Sequence, residues 1–175
     1  MGSDTADDGV EPRTGGALLL DTLLAEGADL AFCVPGESYL AVLDALYDRQ
    51  NHFRMIVCRH EGGAANMSEA YGKLTGRPGV CFVTRGPGAS HAAIGVHTAQ
   101  QDSTPMILFA GQAERSHLDR GAFQEVDYRQ MFGKFASGSP RSTIRGASQS
   151  WSAGRSTSPS TAGQARSWWH CPRTS

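Results

Sequence analysis

The chain has 175 residues, 39% of them hydrophobic, and a formal net charge of −1, which suits one domain with some excess. No apolar run approaches the roughly 20 residues needed to cross a bilayer, and no C-x-x-C pair suggests a zinc or disulfide framework. The near-neutral charge is the sum of two unlike segments and so specifies no partner: residues 1–136 hold all 17 acidic residues, whereas 137–175 hold five arginines, no lysine and no acid.

Met1 to Gly16 is acidic and polar, without the basic and apolar regions of a signal peptide. It predicts a disordered start over 1–14 and a soluble, cytoplasmic protein. Leucines at helical spacing over 16–26 predict a helix that stops at Gly27. The apolar run 30–34, closed by Pro35-Gly36, predicts a buried strand and a turn. Helical period returns over 37–48, and a second strand is predicted at 53–58. A helix of small residues follows over 62–75, then a strand at 79–84. After Gly86-Pro87-Gly88 come another small-residue helix, about 89–101, and a fourth strand at 106–110. Residues 113–126 are polar and loop-like, and 127–135 predict a short helix. Cys33, Cys58 and Cys81 lie in apolar runs; with Cys171 they are expected to be reduced thiols.

Alternating strands and helices predict an α/β fold, a parallel sheet with helices on both faces. The continuous apolar strands suit a sheet covered on both sides. Ligands of such sheets sit beyond the carboxyl ends of the strands. Three loops qualify: Pro35-Gly36, Arg59-His60-Glu61 and Arg85-Gly86-Pro87-Gly88. Glu61 begins a helix built from Gly62, Gly63, Ala64 and Ala65. It reads either as a capping acid, favoured by the helix dipole, or as an acid tuned to exchange a proton in a dry pocket. The small neighbours favour the second, because they let a flat ligand approach the backbone. The turn from Thr84 to His91 lacks both G-x-x-x-x-G-K-[ST] and G-x-G-x-x-G. A nucleotide site of Rossmann type therefore loses, and Pro87 reads as an early helical residue. Gly121 to Glu125 lies in a long loop at the ligand end of the sheet, which hints at function. No metal-ligand set is read from the spacing.

Residues 137–175 carry eleven serines, four threonines, all three tryptophans and a single aliphatic of the Ile, Leu or Val kind, Ile144. With no period and little to bury, they are expected to be disordered.

Taken in order, the segments VPGESYLAVLDAL, RHEGGAANMSEAYGKLTGRPGVCFVTRGPGASH, GVHTAQQDSTPMILFAGQ and RGAFQEVDYRQMFGKFA resemble the pyrimidine-binding (Pyr) domain of acetolactate-synthase-like thiamine-diphosphate enzymes. The resemblance runs from about Gly15 to Ala136, giving a domain over 15–136. It implies that Glu61 is the acid that hydrogen-bonds N1′ of the aminopyrimidine, so that the 4′-nitrogen can remove the thiazolium C2 proton. Val34, Pro35 and Gly36 then lie beside the pyrimidine. Pro87 and His91 match the GPGATN turn, with His91 in place of the usual asparagine and Ser90 in place of threonine. Gln124 matches a glutamine that faces the reacting 2-keto acid. Cys33 stands where glycine is common, which nothing in the sequence explains. Mg²⁺ and the diphosphate are held in this family by a Gly-Asp-Gly motif on a separate PP domain, usually of a partner subunit. No Gly-Asp-Gly occurs here. Thiamine diphosphate is therefore expected to bind weakly or not at all to this chain alone, and the chain is expected to be inactive alone. The implied partners are a 2-keto acid and either a second copy or a PP-domain chain, with no nucleic acid and no membrane. A second reading is a non-catalytic Pyr module that complements a separate PP-domain chain.

The family continues after F-G-K-F-A with K-W-V-A-E-I-D-D-P and later G-R-P-G-P-V-V-L-A-L-P-E-D, where this chain has Ser137-Gly138-Ser139-Pro140. Loss of one nucleotide just after the Ala136 codon accounts for this. The first base of each codon then becomes the second base of the ancestral codon, which largely sets polarity. Ser167 to Thr174 permits V-V-V-A-L-P-E-D, and Ala162 to Arg166 permits G-R-P-G-P. The sequence thus predicts an out-of-frame tail over 137–175 and a sheet whose last strand is missing. An exposed sheet edge and marginal folding are expected in consequence.

Overall fold

The computed structural model describes residues 13–135 and, as backbone, 141–142 and 149–156. Thr14 opens the ordered chain: its hydroxyl accepts the Ala17 N–H and caps α1, Gly15–Ala25. β1 is Leu30–Cys33 and α2 is Leu40–Tyr47, entered through a single 3₁₀ turn at Glu37–Tyr39. β2, Arg54–Val57, leads into α3, Glu61–Thr75, which ends on left-handed Gly76. β3, Gly79–Val83, leads into α4, Pro87–Gln101, with proline in its first turn, and β4 is Met106–Glu114. A short helix α5, Tyr128–Phe132, is capped by the Asp127 carboxylate. No described helix is long and apolar enough to cross a membrane.

The four strands form a parallel sheet in the order β2-β1-β3-β4 with helices on both faces, as predicted. Side chains alternate across it. Val80, Phe82, Ile107 and Phe109 join Leu20, Tyr39, Val42 and Phe53 in a core beneath α1 and α2. Cys81, Val83, Leu108 and Ala110 face Ala64, Ala65, Ala92, Val96 and Ala99 of α3 and α4. One face is filled by large rings, with Phe82 stacked on Phe109 at 4.7 Å. The other is filled by alanine-sized groups, so α3 and α4 lie close to the sheet and to each other.

Three differences from the sequence expectations have physical causes. The second strand is not covered on both sides: β2 is an edge strand, and Arg54 and Val57 are exposed. The fourth strand runs four residues past Ala110, to Glu114. Gln112 is 3% exposed there and tolerates burial because its amide donates to the Val126 carbonyl and its oxygen accepts the Ala113 N–H. Beyond Ala136, where no strand is predicted, the backbone of β6, Gln149–Ser156, lies antiparallel to β4, and β5, Arg141–Ser142, lies on β6. The free edge of β4 offers unpaired N–H and C=O groups to any extended segment, whatever its side chains. The rest of the expectations for 1–12 and for the tail, Cys171 included, lie outside the described residues.

Cys33, Cys58 and Cys81 are free thiols, the first and third fully buried. Burial pushes the Cys33 thiol up to about 11, partly offset by a hydrogen bond to Tyr39.

The closeness of α3 and α4 is testable. A Cβ on Gly95 would lie 2.5 Å from Ala65 Cβ, while one on Gly63 would meet nothing within 4 Å. Gly95→Ala should destabilise the chain by about 1–3 kcal/mol through overpacking. Gly63→Ala should stabilise it by roughly 0.5–1 kcal/mol through reduced unfolded-state freedom. Urea denaturation of both variants measures the contrast; equal effects would rule out the tight contact.

Candidate functional site

Parallel register brings the loops after β1, β2 and β3 to one side of the sheet. Glu61 is the first residue of α3, where the free amides of the helix favour a negative charge. The capping itself is done by His60: its extended backbone starts the helix and its Nδ1 accepts the Gly62 N–H at 3.0 Å. Glu61 is thus released from the capping task that the sequence left open. Its side chain is 13% exposed, and Oε2 lies 3.0 Å from Nδ1 of His91 in the second turn of α4. The His60 and His91 rings stack at 4.6 Å. Oε1 lies toward Gly88, 3.5 Å from where a Cβ would stand on that residue. Gly88 itself places no side chain against that oxygen.

The loop after β1 is tied to the loop after β3 by one buried serine. Ser38 Oγ is 2.9 Å from Thr84 Oγ1 and accepts the Arg85 N–H at 3.0 Å. Tyr39, fully buried, donates its hydroxyl to the Val34 carbonyl at 2.5 Å, and burial raises its pKa strongly. Val34 is half-buried, and Pro35 and Pro87 are exposed. Arg85 reaches outward to the Glu37 carboxylate at 2.5 Å and donates to the Phe123 carbonyl at 3.1 Å.

A second clamp holds the long loop. The Gly86 N–H donates to the Tyr128 hydroxyl at 2.9 Å, and that hydroxyl donates to the Gly111 carbonyl at 2.9 Å. Gly86 has φ 58°, and a Cβ there would come within 2.8 Å of the Gln124 carbonyl oxygen. Gln124 is itself left-handed, with φ 60°, a conformation that costs about 1 kcal/mol or more for a residue other than glycine. Its loop is held by its own acid: Glu125 accepts the Asp119 N–H at 2.6 Å and the Ala122 N–H at 3.0 Å. These amides pull the Glu125 carboxyl below its ordinary 4.5.

The structure therefore brings Glu61, His91 and the Pro87-Gly88 turn together, sets Gly36 against Thr84, and packs Gln124 on Gly86. Sequence reasoning missed Ser38, Tyr128 and the capping role of His60. Single hydroxyls carry no pattern, and histidine is not among the residues that ordinarily mark a helix start. It also missed a donor set. His60, Glu61 and His91 each present one ligand atom, and these atoms lie within 4.8 Å of one another, although the sequence keeps His91 far from the other two.

Comparison with known proteins adds the family. Residues 13–131 match the thiamine pyrophosphate enzyme N-terminal TPP-binding domain. The chain is 39% identical over 127 residues to a mitochondrial acetolactate synthase catalytic subunit of Aspergillus candidus, covering 73% of this chain and 18% of that protein. It is 40% identical over 124 residues to the acetolactate synthase large subunit of Parasynechococcus marenigrum, covering 69% and 20%. For the large subunit of Lactococcus lactis subsp. lactis the identity is 38% over 117 residues, covering 67% and 20%. The chain thus spans about a fifth of the length of these relatives.

Two outcomes test the clamps. Tyr128→Phe leaves the buried Gly86 N–H without its acceptor and should cost about 1–3 kcal/mol in denaturation. Glu125 has a depressed folded pKa, so its hold on the loop is complete above its ordinary value of 4.5 and is lost as pH falls through the folded value. Amide protection at Asp119 and Ala122, corrected for intrinsic exchange, should hold above 4.5 and be lost as pH falls below it through the depressed folded pKa. Glu125→Gln should remove it at every pH; unchanged protection in that variant would break the assignment.

Proposed function

The chain belongs to the thiamine pyrophosphate enzymes, as an N-terminal TPP-binding domain of acetolactate-synthase-like type, and on that premise we propose that it binds the aminopyrimidine end of thiamine diphosphate, with Glu61 as the activating acid. The Glu61 carboxylate carries the proposal. It is largely shielded from water, Oε2 is held by His91, and Oε1 faces the side-chain-free Gly88. A flat heteroaromatic ring fits such a face, and a ring nitrogen would share a proton with Oε1. His91 would keep the carboxylate from rotating away. Val34 to Gly36 would flank the ring, held in place through Ser38 and Thr84. Gln124, fixed against Gly86, would face the substrate, a 2-keto acid. When bound, the cofactor supplies the electron sink for decarboxylation and carboligation.

The residues fit only one end of that cofactor. The 175 residues contain no Gly-Asp-Gly, and the described residues offer no carboxylate pair for Mg²⁺ beside Glu61. The diphosphate and its metal would be held by a PP domain of another chain or of a second copy, and the present residues would be inactive by themselves. The exposed Met67 and Leu74 of α3 and Ile94 of α4 support a partner on these helices. A change of reading frame after Ala136 fits the same picture: the family match stops at residue 131, and no acid follows Glu125 and Asp127. Nucleotide sequence through the Ala136 codon tests it; an in-frame reading with no lost base would end it.

Calorimetric titration tests the pyrimidine site. Thiamine and thiamine diphosphate should bind with affinities within about threefold of each other, a difference under 1 kcal/mol, with or without Mg²⁺. Glu61→Ala should abolish both. Tenfold tighter, Mg²⁺-dependent binding of the diphosphate would place the metal end on this chain. Pyruvate consumption by the chain with cofactor and Mg²⁺ would overturn the half-site assignment.

A further inference from the structure

The geometry points to a divalent transition-metal site at His60, Glu61 and His91. Two imidazoles and one carboxylate form a donor set that suits Zn²⁺, Co²⁺ or Ni²⁺ and not the oxygen-loving Mg²⁺ or Ca²⁺. Donors on a tetrahedral zinc ion, at about 2.0–2.2 Å from the metal, lie roughly 3.3 Å apart. The three donor atoms here lie within 4.8 Å of one another. Both imidazoles are exposed and are free to close the difference by small side-chain rotations. Glu61 supplies the rigid side of the site, 13% exposed and fixed at the start of α3.

The assignment follows the lone pairs. His91 Nδ1 lies 3.0 Å from Glu61 Oε2; to share an ion with that carboxylate, the neutral imidazole carries its proton on Nε2 and turns its Nδ1 lone pair to the metal. His60 uses its Nδ1 pair to accept the Gly62 N–H, so its Nε2 carries the proton. An ion therefore draws His60 away from its capping bond or shifts its proton to Nδ1, and in either case α3 loses its side-chain cap. Metal uptake is coupled in this way to the first turn of the helix that positions Glu61. An ion so held also occupies the carboxylate proposed for the pyrimidine, so the two ligands exclude each other. The metal site itself rests on the three side chains and not on the thiamine proposal.

The full chain is titrated with Zn²⁺ against a chromophoric chelator, and with Co²⁺ followed by visible absorption, both without thiamine. One ion per chain is expected, with a cobalt spectrum of nitrogen and oxygen ligation and no sulfur charge-transfer band. His91→Asn and His60→Asn should each weaken binding by about tenfold or more, whereas His117→Asn should leave it unchanged. Asparagine at position 60 can take over the cap of α3 and His91 is exposed, so circular dichroism and the melting transition should stay near the parent's. Binding that survives both substitutions, or a thiolate spectrum, would overturn the site, as would no binding above that of a His60→Asn/His91→Asn double variant. None of these results bears on thiamine binding, which is measured separately without metal.

Discussion

The site depends on how closely α3 and α4 approach. The contact is made by Ala65 against Gly95, where even a methyl group would collide. Small residues gain little from burial one at a time, but they allow two helix starts to converge. Glu61 opens one of these helices and His91 lies in the second turn of the other, so their 3.0 Å contact is a product of that backbone spacing. Larger side chains on this face of the sheet would separate the carboxylate from its partner without touching either. The opposite face is packed with Phe82, Phe109 and Tyr39, and its own close helix approach, Gly16 of α1 against the Ala41 carbonyl of α2, lies away from the carboxylate.

The order and type of the elements were legible because the strands are short apolar runs and most breaks carry Gly or Pro, those on either side of β2 excepted. The carboxyl-end rule pointed to three loops, and the structure brings them to one side of the sheet. Boundaries failed where polar groups were satisfied by distant partners: Gln112 extends β4 because of Val126, a pairing invisible to a local window. The edge position of β2 was hidden for a similar reason, since strand order is a property of the whole sheet and not of residues 53–58. At the site, Glu61 stood out by its surroundings, but its partner did not. A lone histidine in a glycine-rich turn has no local signature, and only the fold places His91 on Oε2. Tyr128 is the clearest case, a single hydroxyl serving Gly86 and Gly111 at once.

The division of labour at the start of α3 shapes the chemistry available there. A helix start normally absorbs the nearest acid as a cap. Here His60 takes that place, and Glu61 is left shielded, next to the helix amides and yet not consumed by them. An acid in that situation retains lone pairs for a visiting group, whether a ring nitrogen or an ion. The buried thiols of Cys33 and Cys81 behave in the opposite way, because burial holds them protonated at neutral pH.

Gly86 and Gln124 form a pair that neither residue can leave alone. Gly86 cannot acquire a side chain while the Gln124 backbone stands against it, and Gln124 is held in its left-handed conformation on the opposite side of that contact. Any change at position 86 therefore demands a compensating path for the loop around 124, far along the chain. Over evolutionary time the two positions should drift together or stay fixed together. Their joint history across relatives would then record the shape of this turn as faithfully as the coordinates do.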